Sequence, residues 1–181
     1  MIQIISEEEL QQGTDEWLEF RSSRVSGTDA YSLLKGKSIA EILYAKQHNS
    51  FKGNYYTERG HALEDVAKDI YSEARKKIIN AGAIINTDYP NAMYSPDGLI
   101  GDNALVECKA FNEARHLANY QKPEPQIIAQ VQFGLFISGR KYCDLIFFNP
   151  DLDDPKQMML IKRIRPDKEM HKQFKNLLEN H

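Results

Sequence analysis

Cysteine is scarce. The 181-residue chain has two, Cys108 and Cys143, and no CxxC. That excludes a disulfide scaffold, a four-cysteine zinc site and a cluster held by four cysteines of this chain alone. Reduced thiols in a cytoplasm are the expectation. No basic, apolar leader opens the sequence: "MIQIISEEEL" has acids where a signal peptide has cations. No apolar run reaches membrane-span length, and the longest, Ile127 to Ile137, is broken by Gln130 and Gln132. The five histidines show no metal-ligand spacing. Excess charge of one sign is also missing. The formal net charge is −3, so a polyanionic partner would have to meet local basic patches or metal ions. There is no internal repeat, low-complexity tract or Pro/Gly linker.

What remains is an ordinary globular composition, 41% hydrophobic and 27% charged, sufficient for a single domain over residues 1–181. The first 77 residues read as helical. Thr14 caps a helix that carries Asp15 and Glu16 in its first turn. Ser38 and Glu41 form a capping box. "TERGHALEDVAKDIYSEARKK" is the longest helix, with Leu63, Val66, Ala67, Ile70 and Ala74 as its apolar stripe. After Lys77 the pattern changes to strands: "AGAIINT", "AMYSPDGLI" and "ALVECKAF". A short helix, the buried helix "PQIIAQVQFGLFIS", two strands and a terminal amphipathic helix follow. This order gives an α+β (mixed α/β) fold, with a helical N-terminal segment, residues 1–77, packed on a sheet-bearing core, residues 78–181.

The segment from Tyr94 to Phe111 holds Asp97, Glu107 and Lys109 among Leu99, Ile100, Leu105 and Val106. With Gly101-Asp102-Asn103 as a three-residue loop, Ile100 faces Ala104, Leu99 faces Leu105 and Asp97 faces Glu107. Glu107 and Lys109 share a strand face. Opposed like charges are destabilising, so a cation must offset the two acids. One reading makes that cation Lys109, in a surface hairpin with a cross-strand ion pair. The other makes it a divalent metal of the Mg²⁺ or Mn²⁺ type. Pro96 and Gly98 shape the backbone at Asp97 rather than continue a regular strand. Glu64 lies at the margin of the long helix's apolar stripe. Gln130, in a nearly all-apolar helix, needs a polar partner: Lys109, a metal-bound water or a backbone group.

"SPDG" followed by "ECK" resembles the PD-(D/E)XK nuclease core. With "QGTDEWLEFRSSRVSGTDA", "ERGHALED" and "IIAQVQFGLFISG" in order, the chain is similar to the phage lambda-type exonucleases, or YqaJ-like viral recombinases, over roughly Gln12 to Pro150. The resemblance implies a central mixed sheet flanked by helices and a metal-dependent exonuclease acting 5′→3′ from double-stranded DNA ends in phage recombination. It places metal ligands at Asp97, Glu107, Glu64 and the backbone carbonyl of Cys108, for two Mg²⁺ ions with Mn²⁺ as substitute. It makes Lys109 the active-site lysine, with Gln130 its support; Lys109 either orients or deprotonates the water or, the favoured role, neutralises developing charge. Arg21, Thr28 and Ser95 become the 5′-phosphate pocket, with Ser26 replacing Thr28 in a shifted alignment. A single-strand annealing protein, a homotrimer and a phage or prophage protein in a bacterial cytoplasm follow by analogy. A restriction or repair endonuclease and a catalytically silent DNA-end-binding module are the alternatives. Trp17 is expected to pack rather than stack on a base. Lys35, Lys37, Arg75, Lys76, Lys77, Arg140, Lys141, Lys162, Arg163 and Arg165 are candidates for contacts to the DNA backbone.

Overall fold

The computed structural model describes residues 1–48 and 55–179. Its centre is a four-stranded sheet of β3 (Gly98–Ile100), β4 (Ala104–Lys109), β5 (Tyr142–Phe148) and β6 (Met159–Ile164), side by side in that order. The β3–β4 and β5–β6 pairs are antiparallel, and β4–β5 is parallel. A parallel pair needs a long crossover. Here it is α5 (Glu113–Gln121) and α6 (Pro125–Ser138). This is the expected mixed sheet flanked by helices. Among the described residues no helix is long and apolar enough to cross a membrane.

Strand alternation sends the sheet's side chains into two cores. Leu99, Leu105, Cys143, Leu145 and Phe147 face α6, together with Leu33 of α2 (Ala30–Leu34) and Phe174 of α8 (Lys168–Glu179). Val106, Cys108, Ile146 and Phe148 face α4 (Tyr55–Ala74). α6 is buried nearly all round, which its sequence requires. It ends at Gly139, whose φ of 66° is the left-handed cap that glycine adopts freely. Gln132, buried in α6, accepts the Asp167 N–H at 2.9 Å and donates to Arg165 O at 2.8 Å, so a core amide starts α8. Thr14 caps α1 (Asp15–Ser22), and Ser38 and Glu41 exchange their bonds at the start of α3 (Ile39–His48).

Three expectations change. The first strand, β1 (Ile2–Ser6), pairs antiparallel with β2 (Ala81–Asn86), so the N-terminal segment is not helical throughout. α4 is rotated from the apolar stripe expected of it: Ala67 is buried as expected, but Val66 and Ile70 are 46% and 43% exposed and Tyr71 is buried in their place. Polar bonds set that rotation. Tyr71 Oη donates to the buried Asp144 at 2.6 Å, and Lys68 Nζ reaches Asp97 O at 2.9 Å. Arg140 and Arg163 are not free for DNA either. Arg163 pairs with Asp144 at 2.9 Å. Arg140 is buried and donates to Gly101 O at 2.7 Å and Ala104 O at 2.9 Å, closing the β3–β4 turn. Asn180, the last residue of the expected terminal helix, lies outside the described residues.

Arg140→Met would leave those two carbonyls, the one of Ala104 buried, without their charged donor. A loss of about 2–4 kcal/mol is expected in urea unfolding, measured as a lowered midpoint at unchanged slope.

Candidate active site

The hairpin has the register that places its acids opposite each other. Gly98 pairs with Val106, Leu99 with Leu105 and Ile100 with Ala104. Asp97 is the next residue outward, opposite Glu107. The Asp97 carboxylate accepts the Cys108 N–H at 2.8 Å, which pins it across the strand pair. Gly98 is required here: a Cβ at that position would lie 2.2 Å from the Ile78 side chain. Glu107 is 1% exposed and accepts a hydrogen bond from the Tyr94 hydroxyl. Lys109 donates to Gln130 Oε1 at 2.8 Å. Of the partners open to Gln130, the lysine is the one it has.

Electrostatics separates this site from a surface ion pair. Burial, and then the charge of Asp97, pushes the Glu107 carboxyl well above the usual carboxylate range; Lys109 acts in the opposite sense. Glu64, half-buried on α4, is pushed up to about 8, first by burial and then by Asp97, against Lys109 and Lys68. Both carboxyls are therefore biased towards their protonated, neutral forms in the metal-free protein. Among the described residues no group of three or more His, Cys, Asp or Glu side chains is arranged to hold a metal ion unaided. The structure brings Asp97 and Glu107 together, and Glu64 acts on them through its charge. His61 stands 3.7 Å from Glu64.

The second constellation is built around the 3₁₀ turn Gly27–Asp29. The Arg21 guanidinium donates to the Thr28 hydroxyl, and Ser26 Oγ lies 3.3 Å from Thr28 Oγ1. The two alternative hydroxyls thus occupy one spot. Ser95 is not in direct contact with them. Its hydroxyl donates to Gly82 O and accepts from Trp17 Nε1, both at 3.0 Å. Trp17 joins the halves: its ring packs in the core beside β2 with Arg21 5.6 Å above it. Arg21, Asp29, Lys37 and Lys46 line one side of a cavity of about 670 Å³.

Two site residues were not anticipated. Tyr94 is the donor to Glu107, and the requirement that a buried acid have a donor, applied to the residues flanking Asp97, would have suggested it. Lys46 is held at 2.7 Å from Asp29, 2.6 Å from Arg24 O and 3.2 Å from Ser26 Oγ. Burial lowers its amine to about 8, against the opposing pull of Asp29. A lone lysine on an amphipathic helix gives no such signal in sequence.

The Glu64 shift has a signed consequence. From about 4.3, the ordinary carboxylate value, up to about 8, the unfolded chain has lost a proton that the folded chain keeps. The contribution is thus present at low pH and lost as pH rises through that window. In chelator, the stability lost between about pH 5 and pH 8.5 should be smaller in Glu64→Gln than in the unmodified protein, by on the order of 2 kcal/mol after solvent screening. Urea unfolding at the two pH values measures it.

The fold has close counterparts. The crystal structure of LHK-Exo in complex with dAMP superposes with a TM-score of 0.79 at 25% identity, over 91% of this chain and 89% of that one. A second crystal structure of LHK-Exo, an alkaline exonuclease from Laribacter hongkongensis, gives 0.75 at 25% identity over 92% and 91%. A phage related exonuclease from Haemophilus somnus 129PT shares the fold, with a TM-score of 0.66 at 14% identity over 90% and 93%. No curated protein matches significantly. The YqaJ-like viral recombinase domain matches residues 16–141. That span contains the acid pair, its lysine and glutamine, Glu64 and the Arg21–Thr28–Ser95 group, and the chain belongs to the YqaJ-like viral recombinase family.

Proposed function

We propose that the protein is a metal-dependent exonuclease that hydrolyses phosphodiester bonds from the 5′ ends of double-stranded DNA in phage-type recombination. The observation that carries this reading is the pairing of the half-buried Asp97 with the buried Glu107, with Lys109 held beside them by Gln130 rather than bonded to either acid. The exonuclease activity named for LHK-Exo supports it.

The donor set fits a hard divalent cation. Mg²⁺ is commonly held by one or two carboxylates and completes its shell with water and substrate phosphate, so the pair suffices where a closed three-ligand cage is absent. Asp97 and Glu107 would hold it, with Mn²⁺ as substitute. Glu64 and the Cys108 carbonyl would join them as the outer ligands of a two-ion site. When bound, such ions supply an ionised water and a positive field at the phosphoryl oxygens.

The protein's own residues do the rest. Gln130 fixes the Lys109 ammonium through a single hydrogen bond, so the cation is in place before charge builds on the phosphate. Preorganised charge of this kind costs no rearrangement during reaction. Arg21 offers a planar fork suited to a terminal phosphate, and the Thr28, Ser26 and Ser95 hydroxyls add neutral groups around it. Hydrolysis adds the water oxygen to phosphorus, breaks the bond to the leaving 3′ oxygen, and passes a proton to that oxygen. Each cut that leaves phosphate on the next 5′ carbon regenerates the group that Arg21 anchors, so the same pocket serves every step.

Asp97→Asn and Lys109→Ala should each reduce hydrolysis of 5′-phosphorylated linear DNA by on the order of 10³-fold. Circular dichroism and DNA binding should stay close to those of the unmodified protein. A near-unmodified rate in Lys109→Ala would exclude the assignment. Covalently closed circles should survive, and their cleavage would favour an endonuclease.

Arg21→Ala should slow digestion of 5′-phosphorylated ends by roughly 10–100-fold. It should change the rate on 5′-hydroxyl ends much less. End-labelled duplexes of both kinds, with Mg²⁺ present and chelated, give the comparison.

A further inference from the structure

Tyr94 is among the largest fully buried side chains, and nothing in the proposed chemistry has so far used it. Its backbone is fixed on both sides, donating to Ile84 O at 2.9 Å and accepting the Ile84 N–H at 2.6 Å. Its ring is seated against two glycines from different regions of the chain. A Cβ on Gly134 of α6 would lie 2.4 Å from Cζ of the ring, and one on Gly27 would lie 2.7 Å from Cε1. Contacts that short are not tolerated, so both seats require glycine. At Gly134 that means a glycine inside a helix, which costs the helix about 1 kcal/mol relative to alanine. The two seats belong to the two constellations above. Gly27 precedes Thr28, and Gly134 is one helical turn beyond Gln130. The hydroxyl at the end of this immobile ring donates to Glu107.

We infer that Tyr94 is a positioning residue for metal binding: its hydroxyl fixes one oxygen of Glu107 and so leaves the other for an ion shared with Asp97. The inference rests on the reading of Glu107 as a metal ligand. A phenol that merely satisfied a buried acid would need no such seating, because any donor within reach would serve. A ring held by two glycines defines where the carboxylate sits, and an oriented ligand binds without first losing rotamer freedom. The same ring packs against the residue before Thr28, which places the end-anchoring turn and the acid pair against one rigid plate.

The test is calorimetric titration of Mn²⁺ into the metal-free full-length protein and its Tyr94→Phe variant, with thermal unfolding of both. Tyr94→Phe keeps the ring and removes the hydroxyl. The Mn²⁺ dissociation constant should rise about tenfold, the lower end of what losing a ligand's hydrogen-bonding partner costs. The Mn²⁺ concentration for half-maximal hydrolysis should rise in parallel, while kcat at saturating Mn²⁺ changes by less than about threefold. A lower Tm with a dissociation constant within about twofold of the unmodified value would show a purely structural bond and overturn the proposal. Should Tyr94→Phe not fold, Gly27→Ala displaces the ring edge with the hydroxyl retained. There too Mn²⁺ binding should weaken, and unchanged binding would overturn the proposal. If the unmodified protein itself takes up no Mn²⁺, the metal reading and this inference fall together. If it does and the variants match it, only the inference falls.

Discussion

Two carboxyl groups facing each other across a buried strand pair, with the nearby lysines bonded elsewhere, are the constraint on which the rest of this structure depends. Burial of Glu107 disfavours its ionisation, and the charge of Asp97 adds to that effect. Such an arrangement persists only when the surrounding fold over-determines it. Here the β3–β4 turn is closed from behind by the buried Arg140, Asp97 is pinned by a backbone N–H, and Glu107 is held by a phenol. Each of these bonds stabilises a geometry that is unfavourable for the apoprotein alone. Geometry of that kind is useful where a cation and a phosphate complete it.

The polar groups of the molecule follow from that centre. Lys109 would be the obvious counter-ion, yet it bonds a neutral amide. Had it bonded an acid at close range, the pair would have been neutralised and its attraction for a divalent ion reduced. Gln130 thus keeps positive charge near the site without letting it occupy the site. Lys68, on α4, behaves similarly: it reaches the Asp97 carbonyl rather than the carboxylate. Both lysines temper the acids from a distance, and neither quenches them.

The features legible in the sequence are those governed by local rules. Hairpin register follows from strand alternation and a three-residue loop, and it is the register observed. A glutamine in an apolar helix needs a partner, and Lys109 is one of the three that its chemistry allows. Caps at Thr14 and Ser38 follow from hydroxyl and carboxylate spacing. What stays hidden depends on contacts distant in sequence. The rotation of α4 is set by Tyr71 meeting Asp144, 73 positions away, and by Lys68 meeting Asp97. An apolar-residue count favours Val66 and Ile70 because it cannot credit a polar side chain that is satisfied in the core. Arg140 and Arg163 read as surface cations for the same reason. β1 is five residues long, and its identity depends on a partner strand some 80 positions downstream. The grouping of Arg21 with Thr28 and Ser26 is within reach of the sequence, since seven residues separate the outer two. Its link to Ser95 through Trp17 is not.

Placement of the cations also bears on how a chain of net charge −3 can act on a polyanion. Several are engaged internally: Arg140 with backbone carbonyls, Arg163 with Asp144, Lys46 with Asp29, Arg115 with Glu124. Each cation held by an internal partner is less available to duplex DNA, whose sequence-independent affinity grows with the number of phosphates neutralised. On the proposed reading, recognition is concentrated where one strand ends. Tyr94 touches both Gly27, beside Thr28, and Glu107, so the proposed anchoring of a terminal phosphate and presentation of the next bond would belong to one rigid arrangement. A protein anchored at a terminus in that way would be matched to removing nucleotides from an end, and less well to cutting within a duplex.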